Sequence, residues 1–260
     1  GEAATIPVQQ ISQVNDPQEG TLFHEVCPLS AKDEIVAMLA LPMNLNTGYL
    51  TLVTEGAQVK RIILDDLPGL SAKPFKVIKV SKGDRLLNVM LTTGEDDIFL
   101  TTAQAQAIRF KEDDVRTMGL AAGGVRGIKL VGQRDRVVSA VIAIDGQYVW
   151  TITDDGVAKI SPMDDYPTQG RAGSGVITMR LPAESREVSA ATIGRQDDNI
   201  VVLTSKNKPL YMRVGRAEQV KRGRAGGESV IALRDKEQVV GVVTYQDKIE
   251  MRDPEPTADD

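Results

Sequence analysis

A period of 51 residues governs this chain. An apolar stretch entered from a charged turn recurs five times, led by Ile35, Leu86, Val137, Val188 and Val239, each 51 beyond the last. The copies run Asp33-Glu34-Ile35-Val36-Ala37-Met38, Asp84-Arg85-Leu86-Leu87-Asn88-Val89, Asp135-Arg136-Val137-Val138-Ser139-Ala140, Glu187-Val188-Ser189-Ala190-Ala191 and Glu237-Gln238-Val239-Val240-Gly241-Val242. Strict register marks stacked units, each burying its faces only against its neighbours.

Two further elements keep this period. One is a strand, a turn and a strand ending in a base: Leu52 to Arg61, Leu100 to Arg109, Ile152 to Lys159 and Leu203 to Arg213. In the third copy Asp155-Gly156 precedes the second strand, a hairpin signal because a tight turn needs positive φ there. The other is a glycine-rich loop followed by an apolar strand, at Ala122-Gly123-Gly124-Val125-Arg126-Gly127-Ile128, Arg171-Ala172-Gly173-Ser174-Gly175-Val176-Ile177 and Arg224-Ala225-Gly226-Gly227-Glu228-Ser229-Val230-Ile231. Each period thus offers about four short strands rich in Val, Ile, Leu and Thr, and no dozen-residue window carries a helical stripe. The expectation is an all-β, propeller-like disc of four-stranded blades, about five in this chain. The units fall at 1–48, 49–97, 98–147, 148–198 and 199–247. The first keeps only its later strands, since its hairpin belongs before residue 5. The chain is therefore read as beginning inside a blade, in a single domain over 1–252 with an acidic, disordered tail at 253–260.

Charge is −5 overall but unevenly spread. Residues 1–48 carry one base against six acids, 199–252 eleven against six, and 253–260 four acids alone. Binding follows a local patch, so a net negative chain still accommodates a polyanion. The 42% apolar content supplies a sizeable core, and no run of 18 apolar residues suggests a membrane span. Cys27 is the sole cysteine, which excludes an internal disulfide and fits a reducing cytoplasm.

Catalytic chemistry is not legible. His24 is the only histidine, there is no G-x-S-x-G elbow, and no Gly-Lys pair permits a Walker phosphate loop. His24 and Cys27 are two residues short of a zinc site and read as partly buried groups on a strand. The pairs Asp96-Asp97, Asp154-Asp155 and Asp164-Asp165 read as turn residues capping backbone donors. No catalytic residue and no metal ligand is assigned.

The bases are the remaining candidates. Lys60, Arg61, Arg109, Lys159 and Arg213 end the same hairpin in successive units, so a propeller places them at like angular stations. Arg126, Arg171, Arg180, Lys221, Arg222 and Arg224 lie in or beside the glycine-rich loops, where open backbone N–H groups can approach phosphate oxygens. Aromatics are only 4% of the chain, too few for stacking on single strands, so duplex backbone is the expected partner.

Several stretches also resemble a known family. Thr93-Gly94-Glu95-Asp96-Asp97, Ala107 to Gly119, Gly124 to Leu130 and Tyr166 to Ile177 are similar to the C-terminal domain of the DNA gyrase A subunit. The resemblance implies a β-pinwheel, a disc whose blades exchange strands, with duplex DNA bound, bent and wrapped at its perimeter without sequence specificity. It implies two partners, an upstream breakage–reunion domain and an ATPase B subunit. ATP and magnesium belong to that holoenzyme, an ATP-dependent type II topoisomerase of the cytoplasm and nucleoid. The isolated domain is expected to be a monomer without a cofactor. The family's basic box (Q-R-R-G-G-K-G) has only distant counterparts here, at Gln169 to Gly175 and Lys221 to Gly227, which leaves the topoisomerase IV A subunit open instead. A propeller scaffold for protein partners is a further alternative. No tyrosine follows an arginine as the family's DNA-cleaving one does, so cleavage is placed elsewhere.

Overall fold

Burial along each hairpin decides how the repeats assemble. In the computed structural model, which describes residues 1–41, 47–71, 73–224 and 226–245, side chains of the first three hairpins are buried on both faces, whereas the last hairpin alternates with exposed positions. A strand so covered needs a sheet packed on either side, which stacking of like units supplies.

Strand β1 (Glu2–Ala3) precedes the first hairpin. The next unit holds β2 (Tyr49–Thr54), β3 (Gln58–Ile63), the two-residue β4 (Phe75–Lys76) and β5 (Leu86–Thr92). It is followed by β6 (Asp97–Thr102), β7 (Gln106–Lys111), β8 (Val125–Arg126) and β9 (Val137–Ala143). The third has β10 (Tyr148–Thr153), β11 (Val157–Pro162), β12 (Val176–Ile177) and β13 (Val188–Gly194). The last has β14 (Asn199–Thr204), β15 (Pro209–Arg213), β16 (Glu218–Gln219), β17 (Glu228–Ser229) and β18 (Val239–Tyr245). The four hairpins turn through a residue in the left-handed region, at Ala57 (φ 65°), Ala105 (φ 58°), Gly156 (φ 90°) and Asn207 (φ 54°).

Strand order shows the exchange. The blades read β5-β2-β3-β8, β9-β6-β7-β12, β13-β10-β11 with β16 and β17 on the free side of β11, and β18-β14-β15. Each short strand thus leaves its own unit to pair with the hairpin of the unit before. β8 meets β3 as Val125↔Val59, β12 meets β7 as Val176↔Ala107, and β17 meets β11 as Glu228↔Ala158. The repeated glycine explains how they come so close. Gly124, Gly175 and Gly227 all have positive φ, and a Cβ on them would lie 2.8, 2.3 and 2.8 Å from the carbonyl oxygens of Val59, Ala107 and Ala158. No other residue lets the exchanged strand close on its partner.

Successive blades pack face to face. Val53 and Val59 meet Ile98, Leu100 and Ile108; Phe99 meets Val149, Met163 and Tyr166; Trp150 and Ile152 meet Ile200 and Val202. The long strands β5, β9, β13 and β18 lie against one another in turn. They are stapled at a spacing of one period plus one: Asn88 Nδ2 donates to the Ala140 carbonyl (2.8 Å) and Ser139 Oγ to that of Ala191 (2.6 Å). Thr192 and Thr244 hydroxyls bond further on, at 2.7 Å. The result is all-β and propeller-like, in four blades.

The first unit departs from the five-blade expectation. Among the described residues of 1–48 the only strand is β1, which pairs with β4 in the register that β3 keeps with β8 (Ala3↔Phe75, Glu2↔Lys76). The copy at 33–38 is not a strand: it has no hairpin beside it to complete a ladder, and Ile35, Met38 and Leu41 are exposed. Two short 3-10 turns and a four-residue helix, Phe23–Val26, occupy the same region. The acidic tail lies outside the described residues.

Candidate nucleic-acid interface

Hairpin bases point inward, not to the rim. Lys60 and Lys159 are fully buried. The Lys60 ammonium donates to the carbonyls of Val77 (2.6 Å) and Leu120 (2.7 Å), and Lys159 to that of Lys221 (3.1 Å). Burial pushes both ammonium groups down to about 8. Arg61 sits over the Tyr49 ring at 4.4 Å, 2.9 Å from Asp113 and 3.7 Å from the buried Glu112. Arg109 is clasped between Asp97 (2.6 Å) and Asp145 (2.8 Å), and Lys111 also reaches Asp97 at 2.8 Å. Burial alone raises the Asp97 carboxyl, but hydrogen bonds from Lys111 and Arg109 and their charges hold it below the usual range. Lys60, Arg61, Arg109 and Lys159 therefore correct the expectation of a basic track at the hairpin ends. Segments of the following unit, a parallel bridge at Arg61↔Thr117 or Arg109↔Thr168 and then the exchanged strand, cover that edge. Only Arg213 is exposed, in the blade that receives no such strand.

The loop arginines divide. Arg171 donates through Nε to the Asp114 carbonyl (2.9 Å) and through an Nη to that of Arg126 (3.2 Å). One period on, Arg222 donates to the Asp165 carbonyl, and its backbone N–H to the Asp165 carboxylate at 3.1 Å. These half-buried arginines clasp each loop to a neighbouring turn. Arg126, Arg180, Lys221 and Arg224 are exposed, and none forms an ion pair among the described residues. The loop glycines, read from sequence as openings toward phosphate, are filled by the exchanged strand's own partner.

Among the exposed bases that the sequence reading does not single out are Lys76, Lys79 and Lys129. Backbone bonds supply the register that finds them. Val77, Gly127, Thr178 and Val230 N–H groups donate to the carbonyls of Gly1, Ala57, Ala105 and Gly156 at 3.0, 2.8, 2.9 and 3.1 Å. Lys76 thereby matches Arg126, and Lys79 matches Lys129 and Arg180. The same offset of 50 or 51 residues is present in the sequence, but the hairpin ends carry the more conspicuous repeat of bases.

Other candidates prove structural. Asp96 accepts from the Thr93 N–H at 2.7 Å, as turn chemistry requires, whereas Asp154 accepts from the distant Arg186 N–H at 2.9 Å and ties that segment to the hairpin. His24 lies in the short helix and Cys27 caps its end, not on a strand as read. Among the described residues no cluster of three or more His, Cys, Asp or Glu is placed to hold a metal, and no helix is long and apolar enough to cross a membrane.

Comparison with known proteins bears on this architecture. The family described as "DNA gyrase C-terminal domain, beta-propeller" matches residues 48–93, 96–143, 147–193 and 198–245, the four blade units. The DNA gyrase A subunit of Salmonella typhimurium is 32% identical over 244 residues, covering 93% of this chain and 27% of that protein. That of Escherichia coli K12 is 30% identical over 255 residues, with 97% and 29% covered. The chain thus spans under a third of the length of these relatives. Among solved structures, the C-terminal domain of DNA topoisomerase IV superposes with a TM-score of 0.79 at 25% identity, covering 86% of this chain and 70% of that one. The DNA gyrase A C-terminal domain gives 0.76 at 20% identity, covering 88% and 76%, a likeness of fold alone. Four matched stretches in register with the four exchanged blades, and relatives of 30% identity and more along nearly the whole chain, place it in the DNA gyrase C-terminal domain family.

Proposed function

We propose that this chain binds duplex DNA along its rim without reading sequence and bends it. The observation that carries the reading is the repetition of exposed, unpaired bases on the outer edge of successive blades, with few stacking surfaces beside them: Trp150, Tyr166, Phe99 and Phe110 are buried, and Tyr211 is the exposed ring among the described residues. Bases without internal partners meet phosphates with no ion pair to break, and phosphate contacts position a duplex without specifying bases. Bending a 20–30 bp stretch through 40–90° costs on the order of 1–6 kcal/mol, which counterion release on several contacts offsets. The chain carries no chemistry in this reading. Its role is to hand DNA to a cleavage gate in the remainder of a gyrase-type A subunit, in the nucleoid-bearing cytoplasm. An ATPase B subunit, with ATP and magnesium, drives the cycle. Fluorescence titration of a labelled duplex at several salt concentrations tests the binding: a steep fall of affinity with salt, equal for unrelated sequences, is expected. A flat salt response, or none bound at low salt, overturns it.

A further inference from the structure

Resting on that reading, we infer that the phosphate contacts are concentrated at one repeated station, the two residues flanking the buried pair that follows each exchanged-type strand, and that the station runs out at its fourth copy, on the blade built on β10. The buried pairs are Val77-Ile78, Gly127-Ile128, Thr178-Met179 and Val230-Ile231. Each is pinned by the backbone bond given above. The residue before it is Lys76, Arg126, Ile177 or Ser229, and the residue after it Lys79, Lys129, Arg180 or Ala232; all eight are exposed.

Three physical features single this station out. Its backbone is fixed on one side by the short ladder and on the other by a buried side chain, so a base there has an immobile root and a free end. Little ordering entropy remains to be lost beyond that of the side chain itself. Its bases have no ion pair among the described residues, whereas a hairpin base such as Arg109 must first leave Asp97 and Asp145. Finally, the two positions lie three residues apart across a bend (at Val77, Ile128, Thr178 or Ile231) and are both exposed, so a filled station offers a duplex two bases side by side.

Occupancy falls along the chain. The first and second stations hold two bases each, the third one (Arg180, with Ile177 opposite), and the fourth none (Ser229 and Ala232). The duplex is therefore gripped hardest over the β1–β4 pair and the blade built on β2, more weakly over the blade built on β6, and released beyond it. Bases elsewhere in the fourth unit, such as Lys208 and Arg213, add field but no station.

The test compares sets of equal charge on the intact chain, with far-UV circular dichroism to confirm the fold. Each phosphate contact contributes about 0.9 to the slope of log K against log salt. Neutralising the station (Lys76→Gln, Lys79→Gln, Arg126→Gln, Lys129→Gln, Arg180→Gln) is expected to flatten that slope by about 4.5. An off-station set (Lys82→Gln, Arg116→Gln, Arg134→Gln, Arg195→Gln, Lys208→Gln) is expected to leave it within about one contact, 0.9, of the parent. Filling the empty positions (Ile177→Lys, Ser229→Arg, Ala232→Lys) is expected to steepen it by about 2.7. Single variants Arg126→Gln and Arg180→Gln, which disturb no packing, are each expected to lose about 0.9. Equal losses from the two quintuple sets, or no gain on filling, overturn the station while leaving DNA binding in place. A parent chain that binds no duplex overturns the functional reading itself.

Discussion

Replacing Gly175 by alanine places a methyl carbon 2.3 Å from the Ala107 carbonyl oxygen and 2.8 Å from its carbon, at a backbone φ of +68°. Left-handed backbone alone costs an alanine roughly 1–2 kcal/mol. The contact is too short to survive and is made to backbone, so the exchanged strand must retreat from β7. Retreat loosens the Val176↔Ala107 and Ile177↔Gln106 pairs and the bond from the Thr178 N–H to the Ala105 carbonyl. At about 0.5–1.5 kcal/mol for each hydrogen bond, the combined loss is about 3–5 kcal/mol. For a chain of this size a kilocalorie moves the melting point by about 2–4 °C, so Tm should fall by about 6–20 °C. Gly170→Ala is the control, because no atom lies within 4 Å of its would-be Cβ. Gly124→Ala and Gly227→Ala, each 2.8 Å from a carbonyl oxygen at positive φ, should rank between the two. Thermal unfolding followed by circular dichroism, with amide exchange at Thr178, reads both stability and detachment of the strand. If Gly175→Ala melts within a degree or two of Gly170→Ala and keeps Thr178 protected, the glycine is not there to admit the exchange.

Three more outcomes follow from the same contacts. Ser139→Ala removes the 2.6 Å staple to the Ala191 carbonyl and should cost about 1 kcal/mol, seen as a lower midpoint in urea. Lys60 is held near 8 when folded against 10.5 when free. The unfolded chain thus binds the extra proton between those values, and stability rises with pH across that window as the burden of a buried charge is lifted. Parent stability relative to Lys60→Met, from urea titrations at pH 7.5 and 10, should therefore increase; a constant difference contradicts the assignment. Arg171→Gln should lower Tm by a few degrees, because it releases the Asp114 and Arg126 carbonyls. Arg126→Gln should leave Tm unchanged while weakening duplex binding, and equal Tm shifts for the two would refute the division between clasp and contact.

Much of the architecture was legible because repetition is a property of sequence. The 51-residue register located all four blades, and Asp155-Gly156 located a turn that does bend at Gly156 with φ of 90°. What misled was topology. Lys60 and Arg61 look from the sequence like the end of a short strand but stand in its middle, and nothing local reveals that the next unit returns to cover that strand's outer edge. Buried bases and exposed bases have the same letters, and only the exchanged strand separates Lys60 from Lys76. Gly124 and Gly175 drew attention correctly, but the group they admit is a backbone carbonyl of their own fold, not a phosphate. The segment at 33–38 shows the converse failure: its pattern is that of a strand, yet a strand is a relation between two segments, and its partner hairpin is not beside it.

A rim that bends duplex DNA around itself, as proposed, must change the path of a closed circle. Ligating a nicked plasmid in the presence of increasing amounts of the chain, then removing the protein, measures that directly as a change in linking number. A shift of one sign is expected that grows with bound protein, is lost at high salt and is reduced by the five-site station variant. An unchanged linking number under conditions where the duplex is demonstrably bound would contradict the bending.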